Sequence, residues 1–205
     1  MDTTAHTFSI IAIIATTVQL GALIALHVLP TGYSPVSDAV SDYGVGRYRS
    51  VFWLQALAGG VAGITLAIGL DQLSPFAPTL VVVMLILSSV ARFFIPFFAT
   101  DQNGSRFQTV PGTIHMLLAV VSFGGIAVAA GALWSTLMHY PAWFGVKSAL
   151  NVLNWVILGS LIALVLGIRP GLRLHLIVGL FERLFYLASL TWFFIVAIDL
   201  ARISG

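Results

Sequence analysis

Residues 113–138 read TIHMLLAVVSFGGIAVAAGALWSTLM and contain no Asp, Glu, Lys or Arg. A helix crosses the roughly 30 Å apolar core of a bilayer with about 20 predominantly apolar residues, because each residue advances it by about 1.5 Å. This stretch is therefore long and apolar enough to be a transmembrane helix. Five further stretches share its character, and the six predicted spans lie at about 8–30, 51–70, 78–98, 113–138, 147–168 and 176–200.

The composition of the whole chain agrees with this assignment. Of its 205 residues, 59% are hydrophobic and 8% are charged, and the mean hydropathy is +1.04. A soluble domain carries roughly 25% charged residues, so a soluble globular enzyme is excluded. The net charge is only +2 and no basic run is present, which excludes a nucleic-acid partner. The chain has no cysteine, which excludes disulfide scaffolds and thiolate metal sites.

The prolines favour short connections between the spans. Most of them fall in the connections or at their edges, where a missing N–H group costs little. Pro96 is different, because it lies in the last turn of the third span and is predicted to kink or end that helix. The sequence thus predicts an all-α integral membrane protein: a bundle of six transmembrane helices with short loops, forming a single domain over residues 1–205.

Basic residues near the span ends predict the orientation in the membrane. Five arginines lie in the loops after spans one, three and five, whereas only two basic residues lie at the other loops and the termini. The two sets are Arg47, Arg49, Arg106, Arg169 and Arg173, against Lys147 and Arg202. The positive-inside rule therefore predicts that the odd-numbered loops are cytoplasmic and both termini are outside. The expected location is a prokaryotic inner membrane.

Ionisable side chains within the spans are costly in lipid, so each is a candidate functional residue. Arg92 falls in the cytoplasmic half of the third span, and Glu182 and Arg183 lie about 10 Å below the cytoplasmic start of the sixth. Other polar residues are predicted at the same end, namely Ser37, Asp38, Ser41, Asp42, Gln55, Asp101 and His115. Glu182, Tyr186 and Ser189 follow the spacing i, i+4, i+7, which predicts one stripe on the interior face of the sixth span.

Two interpretations of this polar cluster are open. In the first it is a structural network, in which Arg92 pairs with Asp101 or Glu182, because buried charges must pair or be neutralised. In the second it is a pocket open to the cytoplasmic interface, where Arg92 and Arg183 bind an anionic headgroup and His115 transfers a proton with a carboxylate. Snorkelling of Arg183 to the headgroups is a third, minor reading.

Three histidines are predicted at one depth, and three imidazoles with a carboxylate can hold zinc. They are His27, His115 and His175. The chain has no HxxxH or HExxH spacing to support such a site, and we predict no metal centre. Whether one of these histidines binds a haem, another pigment or a metal stays open from the sequence.

Four segments carry a family resemblance. They are YSPVSDAVSDYGVGRYRSVFWLQALAGG (33–60), FFIPFFATD (93–101), IHMLLA (114–119) and GLFERLFYLASLTW (179–192). In order and spacing they resemble a six-span family of bacteria and archaea catalogued as domain of unknown function 998. The Ser-Asp-x-Gly entry at residues 41–44 is also similar, more distantly, to the damage-regulated autophagy modulator family of eukaryotes. The resemblance implies that the motif positions are Ser41, Asp42, Gly44, Asp101, His115, Glu182 and Arg183. It makes lipid handling an expectation by analogy.

These observations lead to one leading hypothesis and one alternative. The leading hypothesis is a polytopic membrane protein whose cytoplasm-facing polar pocket binds or handles a membrane lipid or small amphiphile. The candidate catalytic residues are His115, Asp101 and Glu182, and the candidate ligand-binding residues are Arg92, Arg183, Ser41, Asp42, Gly44, Gln55 and Tyr186. The alternative is a non-catalytic accessory subunit that packs against a larger membrane complex, with a purely structural polar cluster. A proton-coupled transporter fits less well, because no broken helices are evident.

Overall fold

The computed structural model describes residues 2–72, 77–101, 107–137, 139–167 and 176–205. These residues form six long helices: α1 (Thr3–Val28), α2 (Arg49–Gln72), α3 (Thr79–Phe94), α4 (Val110–Leu137), α5 (Lys147–Gly167) and α6 (Val178–Ser204). Three short 3-10 turns accompany them, at Val40–Gly44, Ile95–Phe97 and Pro141–Trp143. Each long helix is, by length and composition, able to cross a membrane. The predicted all-α fold with six candidate spans is confirmed.

The helix ends differ from the predicted spans by a few residues, for identifiable reasons. Helix α1 begins at Thr3 rather than near residue 8, because the carboxylate of Asp2 accepts hydrogen bonds from the first free N–H groups of the helix. Helix α3 ends at Phe94 and continues as the 3-10 turn that contains Pro96. The prediction that Pro96 ends the third helix is therefore confirmed.

Helices that are neighbours in sequence are also neighbours in space. Each helix packs against the next, and α6 packs back against α1, so the six helices form a closed ring. Helices α2 and α6 are the most buried, and α5 is the most exposed. Small residues allow the backbones to approach within the bilayer. At Gly125 of α4, for example, an added Cβ would lie only 2.9 Å from the carbonyl oxygen of Met84 in α3, so there is no room for a side chain at this position.

The segment between α1 and α2 folds back onto the bundle. The N–H group of Leu180 donates a hydrogen bond to the Val36 carbonyl, which attaches this segment to the start of α6. Helices α1, α3 and α5 end at this side of the bundle, and α2, α4 and α6 begin there. We call it the first-loop end. Four residues used in the sequence predictions, Arg106, Arg169, Arg173 and His175, lie outside the described residues.

Candidate functional site

Three of the four residues of the 41–44 motif shape the turn itself. The Asp42 carboxylate accepts a 2.8 Å hydrogen bond from the Ala39 N–H group, which holds the start of the turn. Tyr43 is buried, and its ring packs edge-on against Tyr33. Gly44 faces the ring of Phe52, which would lie 2.9 Å from an added Cβ. Gly44 is thus required by close packing.

Arg183 connects this turn to two helices. Its Nε donates to Nε2 of His27 at 2.6 Å, and its Nη1 donates to the carbonyl oxygens of Asp38 and Gly179 at 2.7 and 3.0 Å. Its Nη2 donates to the Tyr43 hydroxyl at 3.0 Å. The guanidinium therefore clamps α1, the first loop and α6 together, and every one of its nitrogens takes part.

Glu182, the neighbour of Arg183, supports the same turn from inside the bundle. Its Oε2 accepts a 2.7 Å hydrogen bond from the N–H group of Val40, the first residue of the 3-10 turn. The side chain is buried. Glu182 thus satisfies a backbone donor that would otherwise be unpaired at a helix start.

Asp101 organises the start of α4. Its carboxylate accepts hydrogen bonds from the Thr109 hydroxyl at 2.6 Å and from the Gln108 and Thr109 N–H groups at 2.9 and 3.4 Å. Thr109 in turn accepts from the Gly112 N–H group, so it caps the helix. The Thr109 hydroxyl above all, and the two backbone donors, lower the pKa of Asp101. Among the described residues no ion pair joins Asp101 to Arg92, the pairing that the network interpretation allowed.

His115 is oriented by the end of the preceding segment. Its Nδ1 lies 2.8 Å from the carbonyl oxygen of Phe98. Because a carbonyl oxygen can only accept a hydrogen bond, Nδ1 must carry the proton and donate the hydrogen bond to the Phe98 carbonyl. The ring is buried, and this bond sets the direction in which Nε2 points.

Ser41, His115, Glu182 and Tyr186 meet at one cavity of about 70 Å³. The rest of its wall is apolar and comes from helices α2, α4, α5 and α6 and the turn after α3. These residues are Phe52, Ile95, Met116, Ala119, Val120, Phe123, Leu161, Leu164, Val165 and Val178. The four polar residues come from the first loop, from the second turn of α4 and from the second and third turns of α6, so the polar part of the cavity faces the first-loop end.

The cavity opens sideways between α4 and α5. Val120 of α4 and Val165 of α5 both line it, and both are exposed on the outer surface, at 54% and 49%. Along α4 the wall runs from His115 to Phe123, about 12 Å at 1.5 Å per residue. The cavity therefore reaches the outer surface of the bundle between α4 and α5, and its apolar part extends along α4 away from the first-loop end.

Arg92 and Gln55 lie behind Tyr186 and are not part of the cavity wall. The Arg92 guanidinium stands 5.4 Å from the centroid of the Tyr186 ring, within electrostatic range of Glu182. It is 4% exposed, and its Nη1 has no hydrogen-bond partner among the described residues. The Gln55 amide lies beside the Tyr186 hydroxyl, but the geometry between them is not a hydrogen bond, and neither of its amide atoms has another partner in the described chain.

The family model of DUF998, described as a protein of unknown function, matches residues 13–199. The chain belongs to the DUF998 family. Comparison with curated proteins and with solved structures found no match. The stretch matched to DUF998 contains every described residue that lines the cavity, from Ser41 to Tyr186. The similarity to the damage-regulated autophagy modulator family stays a prediction.

The structure brings together only part of the predicted site of this DUF998 protein. The predicted stripe is confirmed, since Glu182, Tyr186 and Ser189 are all buried on one face of α6. Of the ten candidate residues, four line the cavity: Ser41, His115, Glu182 and Tyr186. The other six lie in the turn, the clamp, the cap of α4 and the layer behind Tyr186: Asp42, Gly44, Arg183, Asp101, Arg92 and Gln55.

Two polar features were not predicted. Gln19 of α1 lies beside Arg92 over Gly59, where its Nε2 would be 2.9 Å from an added Cβ. The sequence did contain a signal for Gln19, because a single amide side chain lies there within an otherwise apolar span. At the opposite end of the bundle, Arg202 and Asp199 form an ion pair of 2.8 Å. Their i, i+3 spacing on α6 could have indicated the pair.

The described histidines do not form a metal centre. The part of the chain that the structure describes contains no group of three or more His, Cys, Asp or Glu residues arranged to hold a metal ion. Both ring nitrogens of His27 are engaged, because Nδ1 lies 2.7 Å from the Leu23 carbonyl and Nε2 accepts from Arg183.

Proposed function

We propose that this protein binds an amphiphile from the bilayer, a lipid or a lipid-like molecule. The polar group of the amphiphile lies among Ser41, His115 and Glu182, and the apolar chain of the amphiphile leaves the cavity between α4 and α5. The observation that carries the proposal is the lateral opening, since Val120 and Val165 are at once cavity wall and outer surface. A ligand that enters there comes from the lipid phase.

The direction of the cavity fits the way an amphiphile lies in a membrane. Its polar wall is near the first-loop end, and its apolar wall extends about two turns of α4 toward the bilayer centre. A lipid in the adjacent leaflet has the same arrangement, with its polar group near the interface and its chain directed inward. The ligand can therefore enter without turning over.

The polar wall is the source of selectivity. Lipid tails are as apolar as the cavity wall, so moving a chain from the bilayer into the cavity gains little hydrophobic free energy. A hydrogen bond to Glu182 or His115 in a low dielectric discriminates far more between ligands. Selection therefore depends on the polar group.

The test uses a photoactivatable amphiphile in vesicles that contain the purified chain, with the labelled residues mapped by mass spectrometry. We expect labelling to concentrate on the stretches 116–123 and 161–165. Val120→Trp blocks the opening and reduces this labelling to background. Val128→Trp is the matched control, because Val128 is also an exposed valine of α4 but does not line the cavity.

Uniform labelling of all lipid-facing helices, unchanged by Val120→Trp, contradicts the proposal. Loss of labelling in both valine variants also contradicts it, because the effect then does not depend on the cavity. Thermal unfolding of each variant in the same detergent shows that both fold before the labelling is compared.

A further inference from the structure

We infer that Phe123 sets how far the apolar chain of the amphiphile reaches into the bundle. The inference rests on the proposed function and assigns a specificity-determining residue to the same cavity. On α4 the described residues of the cavity wall run from His115 to Phe123, and Phe123 is the one farthest from the first-loop end. The ring of Phe123 therefore forms the deep end of the apolar part.

The cavity also ends on the two helices that face α4. Its wall residue farthest from the first-loop end is Leu161 on α5 and Tyr186 on α6. One turn beyond the last wall residues of α4 and α5 lie Ile126 and Ile157, which are 1% and 0% exposed and do not line the cavity. Side chains buried in a close-packed core leave no room for a ligand chain between them. The described residues thus close the cavity at this depth.

Two aromatic partners on α6 hold the Phe123 ring in place. The ring stacks on Phe185 with a centroid distance of 4.4 Å and an interplanar angle of 24°. It also meets the Tyr186 ring edge-on, at 5.6 Å and 85°. Aromatic pairs prefer these two arrangements, which stabilise the fold beyond the burial of their surface. Phe185 is fully buried, so the Phe123 ring cannot move farther toward α6 and stops a chain that meets it.

The route left for the chain is between α4 and α5. Val120 lies about one turn before Phe123 on α4, lines the cavity and is exposed on the outer surface, as is Val165 of α5. A chain that the ring stops leaves between these two valines and continues in the bilayer. Its outer part is then surrounded by lipid, both before and after binding. The ligand class that fits is therefore amphiphiles of one polar group with chains of different length.

The test compares two photoactivatable amphiphiles that share one polar group, in vesicles that contain the purified chain. One carries the photoreactive group close to the polar group, and the other carries it at the end of the chain. The labelled residues are mapped by mass spectrometry. In the native chain, we expect the first probe to label residues 116–123 and the second to label only lipid-facing side chains. Ile126 and Ile157 stay unlabelled by both probes, because the cavity ends before them.

Removal of the ring is expected to change the result for the chain-end probe. In Phe123→Ala the chain extends into the space of the lost ring, and labelling of Phe185 and Ile126 by this probe rises above the native level. Phe193→Ala is the matched control. Phe193 is also a buried phenylalanine of the bundle with an aromatic partner, Trp192, but it does not line the cavity. This control leaves both labelling patterns unchanged.

Phe123→Leu keeps the inference testable if Phe123→Ala does not fold. A leucine retains much of the apolar volume and loses both ring contacts with α6. We expect a smaller rise in the labelling of Phe185 by the chain-end probe. Thermal unfolding of each variant in the same detergent shows which of them fold before the labelling is compared.

A second measurement needs no variant. A dodecyl and an octadecyl amphiphile with the same polar group compete against the probe at equal mole fraction in the bilayer. Both chains are longer than the wall of α4, which measures about 12 Å between His115 and Phe123. We expect equal competition, because the additional methylene groups of the longer chain lie in lipid whether or not it is bound.

Labelling of Ile126 or Phe185 by the chain-end probe in the native chain overturns the inference, because the chain then passes the ring. Unequal competition by the two chain lengths overturns it too, since the chain beyond the ring then contributes to binding. An unchanged pattern in both Phe123 variants also contradicts it. In these cases amphiphile binding stands as long as labelling of residues 116–123 depends on Val120. If that labelling does not depend on Val120, the proposed function itself is wrong, so the two failures are distinguishable.

Discussion

The Nε of Arg183 donates a 2.6 Å hydrogen bond to Nε2 of His27, across 156 positions of the sequence. A guanidinium has no acceptor, so Nε2 of His27 must accept and its proton must be on Nδ1. Nδ1 lies 2.7 Å from the carbonyl oxygen of Leu23, which agrees with that tautomer. The bond joins the end of α1 to the start of α6 and holds the first loop, which carries Ser41, against the cavity.

Arg183→Lys is expected to weaken this clamp. A lysine carries its three donors on one nitrogen and cannot reach an imidazole, two carbonyls and a phenol at once. We expect a loss of about 1–3 kcal/mol in the free energy of unfolding, measured by thermal unfolding in detergent. Arg47→Lys is the control, because Arg47 is an exposed arginine of the same loop. An equal and small effect of both substitutions would show that the clamp does not stabilise the fold.

Gly179→Ala is expected to separate the first loop from α6. The added Cβ would collide with the carbonyl oxygen of Asp38, which is backbone and cannot turn away. Overpacking of this kind costs about 1–3 kcal/mol, and limited proteolysis within residues 33–48 is expected to accelerate. Gly21→Ala is the matched helical control, because nothing lies within 4 Å of its added Cβ. There we expect no loss, or a gain of up to about 1 kcal/mol from helix propensity. Similar behaviour of the two variants would contradict the packing argument.

Asp101→Asn is expected to make the start of α4 less stable in a pH-dependent way. The hydrogen bonds from Thr109 and Gln108 lower the pKa of Asp101 in the folded chain. The stabilisation is therefore fully present above the pKa of an unfolded aspartate, about 3.9, and is lost as the pH falls through the lower folded value. The gap in thermal midpoint between the native chain and Asp101→Asn is expected to narrow as the medium is acidified below about pH 4.

The control for this experiment is Asp71→Asn, a carboxylate at the exposed end of α2. Hydrogen exchange of the N–H groups of Val110, Gly112 and Thr113 locates the effect at the start of α4. A midpoint gap that stays constant down to acidic pH would mean that the ionised carboxylate is not what caps the helix.

The helices and one face of the site follow from local patterns. The stripe of Glu182, Tyr186 and Ser189 was predictable, because 3.6 residues per turn place i, i+4 and i+7 on one side of a helix. The end of α3 at Pro96 was predictable for an equally local reason, since proline removes a backbone donor. Neither prediction depends on which other helix lies nearby.

The roles of the charged residues could not be predicted in this way. Arg92 and Arg183 have the same chemistry and similar depth, yet one lies behind Tyr186 and the other clamps the first loop. Asp101, predicted only as a candidate for proton transfer, also holds Thr109 in place at the start of α4. In each case the partner is set by the direction in which the side chain leaves its helix, and that direction depends on tertiary packing.

The sequence by itself determined the membrane character, the six helices, and the concentration of polar residues at one end of the bundle. These follow from hydropathy, helical period and the cost of charge in lipid, which act over one helix at a time. Only the tertiary structure decided that Ser41, His115 and Glu182 share one cavity, and that Val120 and Val165, which also line it, are exposed on the outer surface. The physical reason is that a cavity is the space left between helices, and its shape depends on how the side chains of several helices fit together.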